Sequence, residues 1–140
     1  MSKIVPKFTP NATGVSDLER FEGVETFTAA NPIAIGEAVV FDLTAGYALS
    51  STVDVAPAGS LWALGVATSD AAAAGDPVQV QVRGICLAIV DVAVVAGEPV
   101  YVDAGVAGAL AAAGAAGAAP VGVALGGGSA QTPVLLFASL

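Results

Sequence analysis

Any chemistry in this chain would have to be done by carboxylates. Its 140 residues hold twelve Asp and Glu, no histidine and a single cysteine, Cys86. Without histidine the commonest general base and the commonest metal ligand are missing, and Ser-His-Asp or Cys-His nucleophiles cannot be assembled. A zinc site could draw only on Cys86 and carboxylates, a poor donor set. Two carboxylate pairs recur, Glu37 with Asp42 and Glu98 with Asp103, each five residues apart. Such pairs can divide general acid and general base work. At that spacing on one strand, however, the two members face opposite sides, which suits turn and strand-end roles better than a hydrolase. No dense Asp-x-Asp run marks a calcium loop. Gly126-Gly127-Gly128 lacks the following Lys-Ser or Lys-Thr of a phosphate loop. Biotinyl and lipoyl carriers need a lysine at a hairpin tip, and no lysine follows Lys7. The expectation is a protein that is not an enzyme and takes no cofactor.

The elements that carry these carboxylates are repeated. Gly36-Glu37-Ala38-Val39-Val40-Phe41-Asp42 returns as Gly97-Glu98-Pro99-Val100-Tyr101-Val102-Asp103, 61 residues on. Leu64-Gly65-Val66-Ala67 returns as Val121-Gly122-Val123-Ala124, at an offset of 57. Pro77-Val78-Gln79-Val80-Gln81-Val82 matches Pro133-Val134-Leu135-Leu136-Phe137-Ala138, at an offset of 56. Three matches in the same order predict an internally duplicated β unit, with copies over about 33–90 and 95–140.

Composition agrees with strands. Alanine (31) and valine (21) dominate, punctuated by 17 glycines, and Val-rich runs between Gly and Pro favour short strands. Val78, Val80 and Val82 alternate with Gln79, Gln81 and Arg83, the pattern of a strand with one buried and one wet face. Leu61–Thr68 reads as a strand, and Ile85–Val90 as one apolar on both faces and covered on both. Gly108–Ala112 and Ala119–Leu125 read as a hairpin around Gly114 and Gly117. Ala71–Ala74 is stopped by Gly75-Asp76-Pro77 before a helix can form. Trp62 is assigned to core or subunit-interface packing rather than to a ligand platform, and Tyr101 and Phe137 to oligomer packing with it.

Charge is unevenly spread. The net charge of −8 disfavours nucleic acid phosphates and anionic membrane surfaces, which are held by Lys and Arg. Residues 1–25 carry seven of the sixteen charges and residues 104–140 none. That uncharged span is mostly Ala and Gly, interrupted by Pro120, and lacks the strongly apolar run of a spanning helix. No secretory signal is expected, because no apolar run precedes Phe8. Met1 to about Ala30 reads as an arm broken by Pro6, Pro10 and Gly14, with Ile4, Val5 and Phe8 as apolar anchors and Lys3 and Lys7 as cations.

The expected fold is therefore all-β, a small barrel or sandwich of two internally similar strand units (31–140) with an extended N-terminal arm (1–30). An Ala- and Gly-rich core buries little area per residue, so a homo-oligomer is expected to supply the rest.

The order Gly65-Val66-Ala67, Gly75-Asp76-Pro77-Val78, Arg83-Gly84, Gly97–Asp103 and Val121–Ala124 resembles the capsid cement, or decoration, proteins of tailed bacteriophages. The likeness covers roughly residues 33–138, and its motifs are structural. It implies a β-barrel-like fold, a homotrimer, and docking on the exterior of an expanded head against the major capsid protein, after synthesis in the host cytoplasm. The arm residues Lys3, Ile4, Val5, Lys7 and Phe8 are the expected capsid contacts. A tail- or fibre-associated protein, or a host-surface binding module, is the alternative.

Overall fold

The computed structural model describes residues 23–43 and 52–137. The expected capsid contacts Lys3, Ile4, Val5, Lys7 and Phe8 lie outside them. Ten strands and no helix are found among the described residues: β1 (Val24–Ala29), β2 (Ala38–Phe41), β3 (Thr52–Val55), β4 (Gly65–Ala67), β5 (Pro77–Gln81), β6 (Gly84–Val94), β7 (Pro99–Val102), β8 (Leu110–Ala111), β9 (Gly122–Ala124) and β10 (Gly128–Leu136).

They close into two five-stranded barrels, β1-β3-β2-β4-β5 and β6-β8-β7-β9-β10. Adding five to each strand number turns the first order into the second. The pairing directions repeat as well: β1 with β3 and β6 with β8 are the parallel pairs, and the other pairs are antiparallel. The expected duplication is thus a repeat of topology, and closure removes the free edges that short strands would otherwise expose.

Register fixes the equivalences residue by residue. Val66 pairs with Gln81 in the first barrel and Val123 with Leu135 in the second, which makes Gln81 the counterpart of Leu135. The offset on this strand is 54, not the 56 suggested by matching Pro77 to Pro133. Pro77 corresponds to Gln131, and Pro133 to Gln79. A shift of two leaves every side chain on its own face, so Val78, Val80 and Val82 still correspond to inward residues, Thr132, Val134 and Leu136.

Three further expectations are corrected. Residues 24–29, placed in the arm, form β1 and pair with β5 from Val24↔Gln81 to Thr28↔Pro77. The stretch Leu61–Thr68 is strand only over Gly65–Ala67. The hairpin of residues 108–125 does not form, because β7 lies between β8 and β9 and pairs with each.

Turns repeat one device. Gly36, Gly75 and Gly97 have φ near +92°, a left-handed conformation that glycine adopts at little cost. The next residue's N–H donates back across each turn, Glu37 to Ala34 O (3.2 Å), Asp76 to Ala73 O (3.1 Å) and Glu98 to Val95 O (3.0 Å). Its carboxylate then accepts the N–H of that same residue, Ala34 to Glu37 Oε1 and Val95 to Glu98 Oε1 at 2.8 Å, and Ala73 to Asp76 Oδ2 at 3.0 Å. Gly65 and Gly122 answer a different need: a Cβ there would collide with the carbonyl oxygens of Gln81 and Leu135.

One core fills the first barrel, with Ala29, Val39, Val53, Leu64, Ala67, Val78 and Val80 among its members. The other joins the inside of the second barrel (Cys86, Ala88, Val90, Val100, Val134) to Ala38, Val40, Ala56, Ala63 and Val66 of the first. Adjacent strand residues point to opposite faces, so Val39 enters the first core while Val40 enters the seam between barrels. Backbone bonds cross that seam, from Ile89 N–H to Gly36 O (2.9 Å) and from Ala38 N–H to Gly108 O (2.8 Å).

Duplication also makes each barrel a control for the other. Thr132, 1 % exposed, stands where the first barrel has Val78, and its Oγ1 has no hydrogen-bond partner. A buried, unpaired hydroxyl costs about 1–3 kcal/mol. Thr132→Val, which copies the first barrel, should therefore raise unfolding stability by roughly 1 kcal/mol or more; a lower chemical-denaturation midpoint would contradict this.

Candidate functional site

The carboxylates take up the roles their spacing suggested. Glu37 and Glu98 lock turns. The acid brought to Asp103 is Asp91 of β6. The Asp91 carboxyl is held above the usual range, first by its side-chain hydrogen bond with Asp103, then by desolvation, then by the Asp103 charge. Asp103 itself is buried, with Oδ2 unpartnered. Among the described residues no group of three His, Cys, Asp or Glu could hold a metal ion. Burial pushes the Cys86 thiol up to about 12, so it stays protonated at neutral pH and is a weak nucleophile.

The carboxyl pair has a pH signature. A group whose folded pKa is raised stabilises the fold fully below its unfolded value, near 3.9 for Asp, and loses that contribution as pH rises through the folded value. Asp91→Asn should thus raise the unfolding midpoint at pH 7 and leave it unchanged near pH 3. An equal gain at both values would show that the carboxyl pair is not the cause.

The more telling site is a surface. Ile85–Val90 was expected to be covered on both faces. Cys86, Ala88 and Val90 do point inward, but Ile85 and Leu87 are exposed, Leu87 by 53 %. They join exposed Leu135 and Leu125 and half-buried Val123 and Pro133 on one sheet face. Ile85 pairs with Leu135, and Leu135 with Val123. Leu87 pairs with Pro133, whose carbonyl accepts the Leu125 N–H at 2.8 Å. Phe137, 43 % exposed, extends the ladder by donating to Val121 O. Ile35 of the first barrel borders this face across a cleft that also takes in Gln81 and Gln131.

The first barrel has polar residues at most of the same positions. Thr26 corresponds to Leu87, Thr28 to Ile89, Thr68 to Leu125, Gln79 to Pro133, Gln81 to Leu135 and Arg83 to Phe137. One copy of the unit therefore exposes polar residues at Thr26, Thr28, Gln79 and Arg83, with Gln81 buried, and the other has an apolar, uncharged face. Exposed apolar patches of this kind mark interaction surfaces. Residue 104 onward carries no charge, so the β9 and β10 portion of the face has no charge of its own to hydrate.

Of the three residues expected at an oligomer interface, Phe137 alone belongs to this face. Tyr101 is half-buried on β7, with its Cβ against Gly114. Trp62 is 37 % exposed, belongs to neither core, and lies 6.1 Å from Phe41 between ring centroids. Periodicity alone could not find the face, because it cannot tell cover by the same chain from cover by another. The match of Gly23-Val24 to Gly84-Ile85 at an offset of 61 could have. It aligns β1 with β6 and exposes the exchange of Thr26 and Thr28 for Leu87 and Ile89.

No protein-family model matches this chain, and the comparison with curated protein sequences finds no match either.

Proposed function

We propose that this chain is a structural virion protein that binds the outer surface of an expanded phage head and stabilises the capsid lattice. The observation that carries the reading is the uncharged apolar face of the second barrel, set in a body whose carboxylates lock turns. It belongs to a protein that works by contact. In this reading the face, with Phe137, packs copies into a homotrimer, and the arm residues Lys3, Ile4, Val5, Lys7 and Phe8 contact the major capsid protein. Neither catalysis nor a cofactor enters.

The mechanism is linkage. A protein that binds the expanded lattice and not the compact precursor stabilises the former by RT ln(1 + [L]/Kd) per site. Many copies on one shell turn modest contacts into a strong clamp. Co-sedimentation with undecorated heads tests this. Saturable binding to expanded heads and none to compact shells is expected, and an oligomer that ignores both would refute the assignment.

A further inference from the structure

The two barrels differ a second time, at a cleft on the first. Phe41, Trp62, Val55 and Ser60 line it together with the acidic residues Asp42 and Asp54, around a volume of about 290 Å³. Phe41 is braced from behind by Phe27, edge-on at 6.0 Å and 72°. The indole of Trp62 tilts at 46° to the Phe41 ring, and Ser60 Oγ anchors the Trp62 carbonyl at 2.8 Å. Asp54 is fixed by Asn31 Nδ2 at 3.0 Å and by the Val55 N–H at 2.8 Å. At the equivalent places the second barrel has Val102 for Phe41, Ala111 for Asp54 and Ala119 for Trp62. Rings and a second carboxylate are thus particular to the first copy, and the shared fold does not require them.

We propose that this cleft binds a lysine or arginine side chain on an extended segment of a partner protein. An indole face attracts a cation, carboxylates on its rim add charge-assisted hydrogen bonds, and the aliphatic stem of a long basic side chain covers the neighbouring rings. The space suits one long side chain and its backbone rather than a folded element. The cation has to come from elsewhere. Arg83, the one cation among the described residues, lies against Gly23 at the start of β1, whereas Asn31 and Asp54 lie beyond its other end. A body this acidic also concentrates cations around itself. The proposal stands apart from capsid decoration and holds or falls separately.

Trp62 is the only tryptophan in the chain, so its emission reports the cleft directly. Titrating the full-length protein with tetralysine amide and with tetra-arginine amide should give a saturable change in emission. Fully Nε-acetylated tetralysine should bind at least tenfold more weakly, and 0.5 M salt should weaken the unmodified peptide similarly. Asp54→Asn and Asp42→Asn should each weaken binding about tenfold; two sites guard against one variant failing to fold. No saturable change, equal affinity for the acetylated peptide, or response to a neutral oligosaccharide instead would each overturn the proposal. Full-length protein carrying Lys3→Gln, Lys7→Gln and Arg20→Gln, which removes every cationic side chain before β1, identifies the source. Unchanged affinity supports an external partner, and a rise in affinity would mean that the chain's own arm fills the cleft.

Discussion

If the apolar face of the second barrel packs copies of the chain together, exchanging its outward residues for those of the first barrel should turn that oligomer into a folded monomer. The variant carries Leu87→Thr, Ile89→Thr, Leu125→Thr, Leu135→Gln and Phe137→Arg, each copied from its counterpart. Folding should survive, because the first barrel already tolerates polar residues at those positions. Burying a large apolar side chain contributes about 1.5–3 kcal/mol, so losing several at once should weaken self-association by at least ~100-fold. Sedimentation velocity reads the result. An unchanged oligomer would place the interface elsewhere and leave the apolar face without a partner in solution. The reverse exchange, Thr26→Leu with Thr28→Ile and Gln79→Leu at exposed positions, should give the first barrel an apolar face and promote larger assemblies. The design is symmetrical, so neither outcome can be put down to mutation load alone.

What could be read in advance followed from which signals are local. The turn at Gly97-Glu98 was legible because glycine, a backbone bond and a carboxylate lie within four residues. The strand Val78–Val82 was legible because Val78, Val80 and Val82 alternate with polar residues, but its other face is wet only in part: Gln79 is exposed, whereas Gln81 is 4 % exposed and donates to Arg83 O. β1 was missed because Glu25, Thr26 and Thr28 mask the inward-facing Phe27 and Ala29, and a polar strand on the outside of a barrel resembles a loop in composition. The supposed hairpin of residues 108–125 failed for a topological reason: a parallel β6–β8 pair takes β8 away from β9, and nothing local specifies such long-range pairing. The meeting of Asp91 with Asp103 depends on the same topology. Ile85–Val90 failed differently. Its strand type was right, but the chain itself covers only one of the two faces, leaving Ile85 and Leu87 exposed.

That β1 starts at Val24 also sets where the arm can be cut. Gly23 O accepts the Val82 N–H at 2.7 Å, and a Cβ at Gly23 would collide with Arg83 O, so the chain is already committed to the barrel there. Removing residues 1–22 should leave the unfolding midpoint nearly unchanged, and the proposed self-association through the apolar face intact. Removing residues 1–30 takes out β1, leaves β3 and β5 without their shared neighbour, and should unfold the first barrel. Loss of a strand from a closed sheet exposes its core and unpairs a ladder on both sides. If Lys3, Ile4, Val5, Lys7 and Phe8 make the capsid contact, the shorter deletion should abolish binding to expanded heads, a loss of at least ~100-fold for several anchors at once. A truncated protein that still saturates heads would move the contact to the barrels, and the apolar face would become the surface to test against the shell. The pair of deletions keeps these outcomes apart, because only the longer one is expected to damage the fold.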